Sequence, residues 1–396
     1  MKFSNACIPL PLLWSSPFLR WQGRLADVSA IDLAHRVTDN ALRERQFDRA
    51  LPTQLILGTT IPQSNSFYGA PWLAARLGMA GIGGANIAQA CATSVTALVS
   101  AALANEVDDA AVSLVVTTDR TSNSPLLVYP RGNAMGGSPL TEHWLLQSFA
   151  ADPNTGLSMV HTAENVARKG GFSRAQIDEM TLLRYSQYQA ALADDRAFQR
   201  RYLQPVVLDG GKAGPQVIDQ DDGIHPYSAA GLAKLRPVVE GGVVTSGAQT
   251  HPSDGTAGAV VCSAAQAASL SGGRGVVRLI AAGYARAEKA HMPAAATTAA
   301  QKALASAGLS IGDVKLAASH NPFAVNDLWF SQQTGFAPER MNVRGSSLIY
   351  GHPQGPTGLR GIAELAHALQ LEGGGIGLFT GCAAGDCGAA LLIQVD

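Results

Sequence analysis

Apolar positions along the chain fall into two kinds of run that alternate. Short continuous runs, such as Gln54-Leu55-Ile56-Leu57-Gly58, Ala111 to Thr117, Gly258 to Cys262 and Val276 to Ile280, read as buried strands. Longer Ala- and Leu-rich stretches between them read as helices: the residues after Cys91 to about Asn105, Thr298 to Gly308, and Leu359 to Leu371, with Leu73 to Gly78 belonging to a short one. Strands are also predicted at Lys315 to Ala318, at Gly377 to Thr380 and at Gly388 to Gln394, the last two paired around a turn that holds Cys382. This alternation predicts an α/β fold with parallel strands. An apolar run from Ala6 to Trp14 follows Met1-Lys2, which raises the question of a signal peptide. Pro9 and Pro11 interrupt it, and no small-x-small cleavage site follows, so a first strand running into a loop is expected.

Strand, Gly-rich loop, reactive side chain and Ala-rich helix succeed one another around Cys91 and again around His352. Between about Asp119 and Thr250 the pattern turns polar and is punctuated by Pro and Gly, with helices near Met159–Lys169 and Arg174–Asp195. The 396 residues suffice for two domains or one large layered core. With 46% hydrophobic and 15% charged residues, the chain is globular rather than disordered. A net charge of −1 gives no footprint for nucleic acid or an anionic membrane surface. No apolar stretch is read as spanning a bilayer. Five cysteines are too few for a disulfide framework and lack the spacing of a zinc site, so no metal and a reducing cytoplasm are expected. No Walker pattern and no G-x-G-x-x-G between a strand and a helix is present, which removes a dinucleotide or nucleotide cofactor from the reading.

Candidate chemistry gathers at loops. Cys91 follows Gly81-Ile82-Gly83-Gly84 and opens a helix, where unpaired N–H groups and the helix dipole favour thiolate. Later come His320-Asn321-Pro322-Phe323-Ala324, then Gly351-His352-Pro353-Gln354-Gly355-Pro356-Thr357-Gly358, then Cys382-Ala383-Ala384-Gly385-Asp386-Cys387-Gly388. Each offers a nucleophile, a base or a donor on a scaffold loop.

These residues resemble the thiolase family. Cys91-Ala92-Thr93-Ser94 is similar to its C-A-S-G-like run, His320 to Ala324 to its N-E-A-F-A, Gly351 to Gly358 to its G-H-P-x-G-x-x-G, and Cys382 to Gly388 to its C-x-G-G-G-x-G. Stretches between the motifs share the likeness, among them Leu25 to Ala30, Thr162 to Ala167 and Leu232 to Pro237. The resemblance implies a thiolase-like α/β fold: two similar mixed-sheet halves packed face to face, with an inserted loop domain. The halves would be 1–118 with 251–265, carrying Cys91, and 266–396, carrying His320, His352 and Cys382. The loop domain, 119–250, would cover the pantetheine arm of coenzyme A.

By the same resemblance, Cys91 would accept an acyl group, His352 would deprotonate it, and Cys382 would move the α-proton as acid and base. One oxyanion site would use His352 with His320, Asn321 being the alternative donor. The other would use the backbone N–H groups of Cys91 and Ala384. Ala384 and Asp386 stand where the family has glycines, so a distorted hole is expected if either position needs a positive φ. Pro322 stiffens its loop. Ser158, Met159, Thr250 and His251 would contact coenzyme A or the acyl group. His161 would be a polar loop-domain residue, and Cys7, Cys262 and Cys387 structural. The implied activity is acyl exchange between CoA and a 3-oxoacyl-CoA, as in β-oxidation, with CoA a substrate and no cofactor. A homodimer or tetramer is implied, with room for an accessory subunit. Two other readings stand beside it: a condensing enzyme of the same superfamily, which would lack the terminal catalytic cysteine, and a non-catalytic subunit that binds acyl-CoA.

Overall fold

The computed structural model describes residues 1–131, 136–211 and 214–396. Two mixed sheets organise it. In the first, Gly84–Ile87, Gln54–Gly58 and Ser113–Arg120 run parallel, and Ser253–Ser263 lies antiparallel beside them. In the second, Leu316–His320 and Gly375–Ala383 are parallel, followed by antiparallel Cys387–Val395 and Val276–Arg286. Ala6–Pro9 pairs with both Ser263 and Cys262 on one side and Val276 to Arg278 on the other, so it stitches the two sheets edge to edge. The early apolar run is therefore a central strand, continued by a turn at Leu10–Leu12 and a short strand, Leu13–Ser15.

Between the sheets lie two helices, Thr93–Val107 and Thr357–Leu371, each covering its own sheet and packing against the other. Their Ala, Val, Leu and Ile side chains fill one shared core. Helix Ala30–Glu44 covers the far face of the first sheet, and Met292–Ala307 that of the second. The segment Ala90–Val107 is long and apolar enough to cross a membrane by composition, a property the sequence reading missed; here it is a core helix, a little over half buried.

Several elements run further than their apolar patterns. The strand predicted at Gly258 to Cys262 spans Ser253–Ser263, all of it buried, because Asp254 pairs with the equally buried Arg120 at 3.0 Å. That ion pair lets polar residues sit in a strand where isolated charges would be costly. Cys382 is not in a turn. It lies within Gly375–Ala383, opposite Gly388, and the turn comes at Ala384 to Asp386. His320 closes the strand Leu316–His320, and part of the Gly-rich loop before Cys91 is the exposed edge strand Gly84–Ile87.

The stretch between the first sheet's last two strands holds helices Met159–Gly170 and Arg174–Ala191 and two small hairpins. Buried pairs bolt it to the second half: Arg184 to Asp327 at 2.7 Å and Asp221 to Arg360 at 2.6 Å.

Candidate active site

The two central helices begin side by side, and each is preceded by a reactive loop. Before Thr93–Val107 the chain turns sharply at Ala90, whose φ of +44° is left-handed, a strained conformation for alanine. Thr93 holds the turn: its Oγ1 accepts from the Gln89 N–H at 2.8 Å and donates to the Ala90 carbonyl at 2.7 Å. Cys91 emerges at the tip. Burial pushes its thiol up to about 12, against the pull of the Ala384 and Cys91 backbone N–H groups, and the charge on Asp119 adds to the rise. The expectation that the helix start would favour a resting thiolate is thus overturned by desolvation, so the sulfur needs a partner to take its proton.

That partner is His352. Its Nε2 lies 3.1 Å from Cys91 Sγ, and its Nδ1 lies 2.7 Å from Thr357 Oγ1. Its ring is buried, which pushes the imidazole down to about 3, so it rests neutral and able to accept. His320 stacks on it, with ring centroids 4.0 Å apart. His320 Nδ1 is 2.9 Å from Ser347 Oγ, whereas its buried Nε2 has no partner among the described residues. Burial, then the neighbouring His352, holds His320 well below the usual imidazole range. Asn321, the alternative donor, is spoken for: Nδ2 donates to Asp327 at 2.6 Å and Oδ1 accepts from the Leu348 N–H at 3.3 Å.

Cys382 is fully buried behind this pair. Burial, and next the nearby Cys91 charge, push its thiol up, while Asn326 Nδ2 donates to its sulfur at 3.2 Å. Past it, Ala384 keeps an ordinary backbone and Asp386 takes φ of +58°, which aspartate tolerates. The positive φ on which the expected distortion depended is thus found at Asp386 and not at Ala384. Asp386 instead anchors its surroundings, its Oδ2 and carbonyl accepting from the Ala290 and Ala287 N–H groups at 2.8 and 2.7 Å.

A pocket of about 250 Å³ opens over the sulfur, lined by Cys91, Phe149, Ser158, Met159, Val160, Gln249, Thr250, Pro252, Met292, Pro322, Phe323, His352, Gln354 and Ala384. Ser158, Met159 and Thr250 are thus brought together beside Cys91. His251 does not line it. Its ring is partly buried, with the enclosed Nε2 unpartnered among the described residues, and its carbonyl accepts the His352 N–H at 2.9 Å. Ser158 Oγ lies 2.7 Å from His161 Nδ1, at the start of helix Met159–Gly170. Cys91, His320 and His352 bring their donor atoms within 4.8 Å of one another. The contacts above account for the sulfur and for three of the four ring nitrogens.

Comparison with known proteins matches the thiolase N-terminal domain to residues 14–265 and the thiolase C-terminal domain to residues 274–395. The chain belongs to the thiolase family. It is an acyltransferase. It is 30% identical over 383 residues to the acetyl-CoA acetyltransferase of Escherichia coli, covering 94% of this chain and 95% of that one. It is 33% identical over 311 residues to the Chromobacterium violaceum acetyl-CoA acetyltransferase, covering 77% and 78%. Human mitochondrial 3-ketoacyl-CoA thiolase superposes with a TM-score of 0.90 at 25% identity, covering 99% of both chains, and has also been solved in complex with CoA.

Three residues of this thiolase's site escaped the sequence reading. Asp119, at the end of its strand, accepts from Thr59 Oγ1, from the N–H and Oγ1 of Thr60, from the Ile61 N–H, and from the Gly355 N–H at 2.8 Å. It ties the His352 loop of one half to the other half. Burial pushes its carboxyl up to about 6 against the pull of these donors. Asn326 lies two residues past a motif read only to Ala324, and Gln354 fills a motif position left open. Polarity in an otherwise apolar stretch was their one available signal.

Proposed function

We propose that this thiolase exchanges acyl groups between CoA and a 3-oxoacyl-CoA through a thioester on Cys91. The observation that carries the reading is the 3.1 Å contact between Cys91 Sγ and a neutral His352, at the floor of the pocket and beside the protonated thiol of Cys382. In the cleavage direction, His352 takes the Cys91 proton as the sulfur bonds to the 3-oxo carbon. The Cys91 and Ala384 backbone N–H groups hold the resulting oxyanion. Collapse breaks the bond between C2 and C3, and the electron pair leaves as the acetyl-CoA enolate. His320 Nε2, with protonated His352, faces the enolate oxygen. Cys382 then gives its proton to C2. Its thiolate next takes the proton of incoming CoA, whose sulfur attacks the acyl group. The departing Cys91 sulfur recovers its proton from His352, and every group is back where it began.

Phe149, Val160, Met292, Pro322 and Phe323 give the pocket an apolar wall, which favours a longer, branched or aromatic acyl group over acetoacetyl-CoA. Such a preference would suit the degradative setting of β-oxidation. Five free thiols suit a reducing cytoplasm. The open edge Gly84–Ile87, with Phe67 and Tyr68 exposed near it in sequence, suits assembly with a second copy. Two measurements test the chemistry. Thiolysis across a panel of 3-oxoacyl-CoA substrates should favour the bulkier ones. Incubation with acyl-CoA should leave a mass increase on Cys91, and Cys91→Ala should lose both the adduct and thiolysis. An adduct on Cys382 or Cys387 instead would overturn the assignment.

A further inference from the structure

Gln354 stands between His352 and the rest of the second reactive loop, and its side chain turns back onto the nucleophile. Its Oε1 lies 3.3 Å from Cys91 Sγ, close to the 3.1 Å of His352 Nε2. The side chain is 3% exposed, and φ of +69° puts its backbone in the left-handed region. A non-glycine residue holds that conformation only where its surroundings impose it, and such positions gather at functional sites. Here the surroundings are explicit. The Thr357 N–H donates to the Gln354 carbonyl at 3.2 Å, and the next residue, Gly355, is pinned by Asp119 at 2.8 Å. The same carboxamide favours the protonated form of the His352 ring, against the stronger opposing effect of burial.

Such a group answers a specific difficulty. His352 is buried and Cys91 partly so, and each alone resists its charged form. Asp119 opposes a charge on Cys91, and His320 lies stacked against the ring that must become cationic. We propose that Gln354 is a catalytic residue, whose Oε1 accepts the Cys91 S–H at rest and the imidazolium N–H of His352 once the proton has moved. In that step the S–H bond breaks, the Nε2–H bond forms, and the net charge of the pair is unchanged. A hydrogen bond to an ionised partner is about twice as strong as one between neutral groups, so the carboxamide favours the thiolate–imidazolium pair over the resting thiol.

This inference rests on the reading of Cys91 as the nucleophile, and alkylation tests it without relying on thiolysis. The rate at which iodoacetamide modifies Cys91, located by mass spectrometry, should be followed against pH. Gln354→Met keeps the length and loses the amide oxygen, so alkylation near neutral pH should slow on the order of 10- to 100-fold. Gln354→Glu places a carboxylate against the imidazolium and the thiolate, so its whole profile should move up by about one pH unit or more. Profiles of both variants that superpose on the wild type would overturn the proposal. Should Gln354→Met fail to fold, the presence or absence of the Gln354→Glu displacement decides alone. Thiolysis measured on the same preparations separates the two ideas. Wild type that cleaves no 3-oxoacyl-CoA while the variants shift as expected overturns the acyl-exchange reading, not the role of Gln354. Thiolysis with unshifted profiles does the reverse.

Discussion

The free nitrogen of His320 and the fully engaged side chain of Asn321 are adjacent in sequence and opposite in chemistry. His320 Nε2 is buried, unpartnered and stacked beside His352, as a donor waiting for a ligand oxygen would be. Asn321 is saturated by Asp327 and Leu348. His320→Ala should therefore cut kcat on the order of 100- to 1,000-fold with little change in substrate affinity. Asn321→Ala should act on thermal stability first and on the turnover of folded enzyme only mildly. Steady-state kinetics paired with melting curves separate the two, and the reverse order of sensitivity would make Asn321 the donor. Cys91, His320, His352 and Cys382 were legible because local motifs carry them. Asp119 was not, since its carboxylate gathers Thr59, Thr60 and Ile61 from about 60 residues away and Gly355 from 236. Contacts at that range leave no trace in a window of sequence.

At the scale of elements, the site depends on how closely two helix ends approach. Ser94 Oγ donates to the Gly355 carbonyl at 2.5 Å, and a methyl group on Gly358 would lie 2.8 Å from Ser94 Cβ. Glycine at 358 lets the helices close until His352 reaches Cys91. Gly358→Ala should thus destabilise the fold by about 1–3 kcal/mol and slow turnover as the loops part. Denaturant melts and kcat read this, and unchanged stability would show that the interface has slack. Most elements could be placed from their apolar runs. The failures were at polar ends, as in Ser253 to Ala257, where a buried ion pair with Arg120 extends the strand beyond its apolar pattern. The Cys382 turn was misplaced by two residues because Gly381 and Ala384, equally turn-like in isolation, are told apart only by cross-strand register.

The whole molecule is five layers, helix on sheet on helices on sheet on helix, with its charges bolted inside at Arg184–Asp327 and Arg360–Asp221 across more than 130 residues of chain. Burial also leaves His320, His352 and His367 neutral, the latter two held down to about 3. Because these folded values lie below the unfolded one, the full stability is present above about pH 6.5 and is lost as pH falls toward them. Each histidine contributes a slope of about 1.4 kcal/mol per pH unit in that window. His367 lies outside the catalytic pocket, with neither ring nitrogen hydrogen-bonded among the described residues, so His367→Leu should flatten the acid limb by one proton. Denaturant melts between pH 7 and 4.5 measure it, and an unaltered slope would count against a neutral buried ring. The stitching strand Ala6–Pro9 has a consequence for biosynthesis. It leaves the ribosome long before one of its partners, and that flank stays bare until Val276 to Arg278 are made. Cys91 likewise precedes its base by 261 residues, roughly 13 to 52 s at 5–20 residues per second. For that interval every nascent chain carries Cys91 without its base, and until burial pushes the thiol up the side chain is in the more ionised and more easily oxidised or alkylated of its two states.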